Sequence, residues 1–287
     1  MQYVALAIHG LTLGSIYALV ALGFHLIFRA VGVLDFAQGD KVVLGGLVGL
    51  TLVRHDVALV AVFAVVIVGG LLAGVVYDAV VVAPALRRGL EPASIATVGA
   101  LLVFGSGHVL IWGATGEAFP SIISGSVAIG NAQVQTQDFL IWGVVAVSVA
   151  AVVLFLSRTR YGQAMVAAAN DPMAAGTVGI DVRQTRMIAF SLAFGLAALA
   201  GVLVAPLTFA GGTFGPSLTV RAFTAAVLGG LDSTFGVVLG ALLLGLFEDL
   251  VGSQVPYAYL DPLVFSVLIV VLLAFPAGLL GTRRRSV

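Results

Sequence analysis

The 287-residue chain has no cysteine, a single lysine and four histidines, and charged residues make up only 9% of it. Without cysteine there is no disulfide framework and no thiolate metal site. His9, His25, His55 and His108 are scattered, and no two stand at a metal-ligand spacing such as H-x-x-x-H. The only lysine, Lys41, follows Asp40. A phosphate-binding loop needs that lysine in G-x-x-x-x-G-K-[ST], so ATP hydrolysis by this route is excluded. G-x-S-x-G and H-E-x-x-H are also missing, and nothing supports an enzyme acting alone. Thirteen basic residues balance 13 acidic ones, whereas nucleic-acid binding needs a clustered basic footprint. A nucleic-acid partner is not expected.

What the chain has in place of charge is apolar surface: 61% of its residues are hydrophobic. Soluble domains run at about 45–50% apolar and about 25% charged. This chain has too little polar surface to cover a water-facing globule and ample apolar surface to bury, which excludes disorder. It reads as a multi-pass membrane protein, all-α, forming a single transmembrane domain over residues 1–287.

A spanning helix needs about 20 mainly apolar residues. Seven stretches qualify: 3–28, 57–83, 93–113, 138–157, 186–210, 234–254 and 261–280. The first is too long and too uncharged at its start for a cleaved signal peptide, so it is expected to be retained. Two shorter stretches, 36–53 and 217–231, are rich in glycine and can span, re-enter or form broken helices. The total is eight or nine helices. Arg87 and Arg88, then Arg158, Arg160, Arg183 and Arg186, then Arg283, Arg284 and Arg285 account for nine of the 13 basic residues. Cytoplasmic loops collect arginine and lysine. Nine spans put all three clusters inside, with the N-terminus outside and the C-terminus cytoplasmic. The segment 114–137 is then an external loop able to touch a soluble partner.

Val43-Leu44-Gly45-Gly46-Leu47 recurs as Val227-Leu228-Gly229-Gly230-Leu231. Each copy lies in one of the short segments, one per half, and paired interrupted segments point to a transport site. Gly10/Gly14, Gly45/Gly49, Gly70/Gly74 and Gly236/Gly240 repeat a spacing that strips bulk from one helix face and lets backbones approach. Arg221 and Glu248-Asp249 fall at membrane depth, where a charge costs about 2.5–3.5 kcal/mol on insertion scales. The run Leu34-Asp35-Phe36-Ala37-Gln38-Gly39-Asp40-Lys41 mixes charges, an amide and glycine at a helix break. It either lines a permeation path or forms local pairs, Asp35–Lys41 or Asp40–Arg29. Between 158 and 186, Asn170 or Asp171 can cap a short helix with Pro172 in first position, and Gly179 can stop it. That helix, Pro172 to Val178, exposes small apolar residues that can dock into a partner's groove.

At these residues the chain resembles the permease subunits of ATP-binding-cassette importers for branched-chain amino acids, most of all the H-type subunit of the Liv system. Three ordered signatures carry the likeness: Leu11-Thr12-Leu13-Gly14-Ser15-Ile16-Tyr17-Ala18-Leu19 with Phe36-Ala37-Gln38-Gly39; Arg160-Tyr161-Gly162-Gln163-Ala164 with Ala174 and Gly179-Ile180; and Ala222 through Ser233 with Gly236, Gly240, Gly245 and Glu248. Asp35 stands where the family usually has asparagine. Gln163 and Val166 stand where many relatives have arginine, which leaves a less basic loop.

The resemblance implies a substrate pathway shared with a second, homologous M-type permease, two cytoplasmic ATPase subunits and an external substrate-binding protein. No cofactor is expected on this chain, and ATP and magnesium belong to the ATPases. Candidate pathway residues are Ser15, Tyr17, Asp35, Phe36, Gln38, Gly39, Phe223 and Thr224. The family's coupling segment falls on Asn170, Asp171, Pro172, Met173, Ala174, Thr177, Gly179 and Ile180. Related permeases carry urea or short amides, which makes such an importer the first alternative. An ion-coupled carrier or channel using Arg221 and Glu248 is the alternative from another class.

Overall fold

A computed structural model describes residues 2–120, 125–129, 132–170, 172–210, 214–256, 259–275 and 278–281. Asp171 and Arg283 to Arg285 lie outside the described residues. Helices dominate: α1 (Gln2–Val31), α2 (Gln38–Arg54), α3 (Leu59–Tyr77), α4 (Ala83–Leu86), α5 (Leu90–Trp112), α6 (Thr136–Arg158), α7 (Arg160–Asn170), α8 (Pro172–Thr177), α9 (Val182–Val204), α10 (Gly215–Gly229), α11 (Thr234–Gly252) and α12 (Leu260–Ala274). A π-turn over Asp78–Val82 joins α3 to α4, making one continuous 28-residue apolar span, Leu59–Leu86.

Among the described residues, six helices are long and apolar enough to cross a membrane. They are polytopic in the expected way but unequal in burial. Of the most apolar stretch, 83% is buried in α1 and 72% in α9, against 17% in each of α5 and α6. So α1 and α9 form the centre, where Ile16, Leu19, Ala197, Leu203, Ala222 and Leu244 meet. The outer faces of α3 and α5 leave Val60, Leu72, Leu102 and Leu110 exposed. A helix apolar all round, with a bare apolar face, fits a hydrocarbon surrounding.

The two halves interlock. The first helix of each half packs on the third helix of the other: α1 on α11, and α9 on α3. The glycine pairs make these contacts close. A methyl placed on Gly10 would lie 2.9 Å from the Gly245 carbonyl, and one on Gly74 2.6 Å from the Phe190 carbonyl. Van der Waals packing, rather than hydrophobic transfer, holds helices together in lipid, so bare backbone at the contact is what permits it.

The short segments become single short helices, about 25 Å (α2) and about 22 Å (α10) long at 1.5 Å per residue. Each is entered through non-helical chain. Gly32, at φ +76°, ends α1 and lets its N–H reach the Phe28 carbonyl at 2.8 Å. The chain then runs extended to α2. The five-residue repeat does not occupy equivalent places in the two helices. Gly45 sits inside α2 against Ala198 of α9, whereas Gly229 and Gly230 end α10, the latter at φ +101°. The symmetry resides in the packing of the halves, not in that pentapeptide.

Two boundaries differ from expectation. The last span stops at Ala274, and Leu279 and Leu280 turn back to donate to the carbonyls of Leu228 and Gly229 at 2.8 and 3.0 Å. The 114–137 segment holds structure of its own: Ser126–Ile129 and Ala132–Gln135 form a hairpin, and Glu117–Ala118 pairs antiparallel with Phe209–Ala210. Arg29, Ser157, Gln163 and Leu280 border one cavity, and Leu86 packs in the same cluster as Val31. The segments next to Arg29, Arg87 and Arg158 therefore share one end of the bundle, called the basic end below.

Candidate functional site

The sequence-nominated residues fall into separate places. The break between α1 and α2 builds a sealed polar layer. Phe36 N–H donates to the Thr97 hydroxyl at 3.1 Å, and Ala37 N–H to Asp35 at 3.1 Å, which satisfies backbone left outside any helix. Asp35 pairs with Lys41 and accepts from the Tyr77 hydroxyl at 3.0 Å. Lys41 also donates to Gln38 Oε1 at 3.2 Å, and its ammonium stands 4.1 Å from the Tyr77 ring centre. Gln38 donates onward to the Ala193 carbonyl at 3.3 Å. Asp35, Gln38 and Lys41 have no exposed surface. Of the two pairings read from the sequence, Asp35–Lys41 forms; Arg29 instead donates to the Asp232 carbonyl.

The starts of α2 and α10 meet beside this layer. Gly39 N–H donates to the Thr219 hydroxyl at 2.8 Å. Asp40 lies against Gly215, with His108 of α5 3.8 Å away. Phe223 stacks at an angle on Phe24, ring centres 5.7 Å apart, and the buried Thr224 hydroxyl returns to the Val220 carbonyl at 2.8 Å. Both act in helix packing here.

The second place is a cavity of about 700 Å³ at the end of the bundle opposite the basic end, between α1, α10, α11 and the start of α12. Tyr17 reaches it, and with it come Arg221 and Glu248. Glu248 accepts from Arg221 Nε at 2.6 Å and from the Tyr17 hydroxyl at 2.8 Å. Arg221 also donates to Ser217 at 2.7 Å and to Asp261 at 2.7 Å. His9 and Asp249, 2.7 Å apart, lie at the mouth. The remaining wall is apolar: Leu13, Val204, Leu218 and Leu260. Gly116 and Thr208, flanking the Glu117–Ala210 ribbon, form the rim.

Ser15 faces another way. Its hydroxyl returns to the Leu11 carbonyl at 2.8 Å, and it floors an apolar groove between α6 and α11.

At the basic end the chain makes an arm from α7 and α8. The short helix runs Pro172–Thr177, close to the expected span, and Gly179 at φ +85° stops it. Ile180 N–H closes the turn on the Ala175 carbonyl at 3.0 Å. Ala175 is buried against the bundle, while Met173, at 84% exposure, and Val178, at 76%, project outward with Ala174 and Thr177. Pro172 opens the short helix as expected, whereas Asn170 is the last residue of α7. The cap that the structure displays is a different one: Asp181 accepts from the N–H groups of Arg183 and Gln184 at the start of α9.

Sequence reasoning missed Tyr77, Thr97, Thr219 and Asp261. Each has a partner at least 40 positions away, beside the local bonds of Thr97 to Ser94 and of Thr219 to Gly215. No local spacing marks such residues.

A family model described as "Branched-chain amino acid transport system / permease component" matches residues 6–273. The chain is 30% identical to the high-affinity branched-chain amino acid permease protein LivH of Escherichia coli, over 95% of this chain and 94% of LivH. It is 31% identical to BraD of Pseudomonas aeruginosa, over 98% and 96% of the two chains. The ribose import permease protein RbsC of E. coli is 31% identical over 82% of this chain and 74% of its own. No solved structure matches.

Proposed function

Since the chain belongs to the permease family of branched-chain amino acid transport systems, we propose that it is the membrane-spanning subunit of an ATP-driven importer for leucine, isoleucine and valine. The observation that carries this is the cavity opposite the basic end. A branched-chain amino acid has an apolar side chain and a zwitterionic head. The cavity sets an apolar wall of Leu13, Val204, Leu218 and Leu260 beside the Arg221–Glu248 pair and the Tyr17 hydroxyl. Both halves of the ligand find a complementary surface there, as small-molecule sites require.

In this reading the basic end is cytoplasmic, because its loops hold the arginines. An external binding protein delivers the substrate over the hairpin and ribbon. A second, M-type permease completes the pathway. The α7–α8 arm docks into two cytoplasmic ATPase subunits, with Met173 and Val178 as apolar anchors and Gly179 fixing the angle at which the arm leaves. ATP and magnesium act on those partners. Closure of the ATPases pushes the arm, and the interlocked halves pass the displacement to α9 and α1.

Uptake of labelled leucine into vesicles holding the full set of subunits tests this. Accumulation should need ATP inside and the binding protein outside, and should fail with this chain alone. Transport by the chain alone, driven by an ion gradient, would sink the proposal. Uptake of urea but not leucine by the full set would replace the substrate.

A further inference from the structure

Helices α6 and α11 both rest on α1, and a groove is left between them. Its longer part, about 730 Å³, is floored by Leu11 and Ser15 and walled by Ala146 and Ala150 of α6 and by Val238 and Leu242 of α11. A second cavity, about 600 Å³, continues it at the basic end, and Val153 and Phe235 line both. The character changes along the way. The long part is almost wholly apolar. The end is bordered by Arg29, Ser157, Gln163, Ser233 and Thr234, with Asp232 in the same wall. Arg29 is the base and Asp232 the acid of this wall, and the exposed Arg158 follows Ser157 in the chain.

Charge at one end and hydrocarbon along the rest is the profile of a lipid. We propose that this groove binds one anionic phospholipid from the leaflet at the basic end. Its phosphate faces Arg29, and an acyl chain lies along Ala146, Ala150 and Val153. Among the described residues, Arg29 makes one hydrogen bond, from Nη1 to the Asp232 carbonyl at 2.8 Å, which leaves further N–H donors for a phosphate. Hydrocarbon gains little by leaving bulk lipid for an apolar groove. Selectivity therefore comes from the head group, and an arginine with spare donors favours an anionic one. A partner subunit's apolar helix in the same slot would offer the spare Arg29 donors no acceptor, whereas a phosphate does, which argues for the lipid.

The test uses the assembled importer, purified and equilibrated with equal amounts of phosphatidylglycerol and phosphatidylcholine, then read by native mass spectrometry. One phosphatidylglycerol should remain bound, favoured at least fivefold over phosphatidylcholine. Ala150→Trp, which fills the groove from an exposed position, should cut retention about tenfold. Arg29→Gln should keep a bound lipid and lose the preference. A photo-crosslinking residue at Val153 needs no bulky change and should label lipid. Label on a second permease, retention of both lipids alike, or retention unaffected by Ala150→Trp would each overturn the assignment. Leucine uptake is read separately, so this site and the transport function can fail independently.

Discussion

Two buried clusters in this chain use the same chemistry to different ends. Each joins a carboxylate, a cation and a tyrosine hydroxyl: Asp35, Lys41 and Tyr77 in one, and Glu248, Arg221 and Tyr17 in the other. Each draws its cation from one of the two short helices, α2 or α10. The first is sealed, with no exposed surface on Asp35 or Lys41, and every charge is matched locally. The second opens onto a cavity, and its acid Asp261 is 56% exposed. A buried pair holds structure only while both partners remain, because an orphaned charge in hydrocarbon has no water to turn to. A pair at a cavity wall keeps water or a ligand as an alternative partner. The difference suits the first to a strut and, in the proposed function, the second to a substrate contact.

The comparison can be broken most forcefully at Lys41. Lys41→Met leaves Asp35 buried without its cation and should cost about 3–5 kcal/mol. Folded yield in detergent should collapse and then largely recover in Asp35→Asn/Lys41→Met. Wild-type stability in the single variant would show that the sealed pair is no strut. Gly39→Ala strikes the same layer, because its methyl would press on the Gly215 carbonyl. Overpacking of this kind costs roughly 1–3 kcal/mol, and Gly69→Ala, with open space around it, is the control that should melt near the parent.

Glu248→Gln sharpens the other side. Arg221 keeps Asp261 and Ser217, and the amide still offers an oxygen to it, so stability should fall by about 1–3 kcal/mol, less than at Lys41. Leucine uptake should drop at least tenfold, mainly through weaker apparent affinity. Loss of fold in place of loss of uptake would make the two clusters alike. The smallest effect is expected at Gly179→Ala, remote from both. A left-handed backbone costs a residue with a side chain about 1 kcal/mol. The protein should fold, while leucine moved per ATP hydrolysed falls severalfold; unchanged coupling would remove the arm from the mechanism.

Much of this architecture could be read from composition and order alone. Apolar runs announced the spans, since a bilayer demands length and hydrophobicity in consecutive residues. The Asp35–Lys41 pair was within reach of inspection because its members are six positions apart. The short helix before Gly179 followed from local turn chemistry. The candidate pathway was less legible. Ser15 and Tyr17 share a signature and are two residues apart, yet they face different cavities, because 200° of helix separates them. Asp35, Gln38 and Gly39 read as polar lining; in the fold Asp35 and Gln38 are fully buried around Lys41, and Gly39 abuts Gly215 and Thr219 of α10.

By itself, then, the sequence determined that the chain is helical and apolar, where its arginines cluster, and which family signatures it carries. Those properties depend on neighbours along the chain. Tertiary structure alone decided that α1 packs on α11 and α9 on α3, that one ion pair is closed and the other open, and that the last helix is short because Leu279 and Leu280 fold back onto α10. In lipid, where hydrophobic transfer no longer ranks one helix face above another, steric fit and hydrogen bonds between distant residues make those choices.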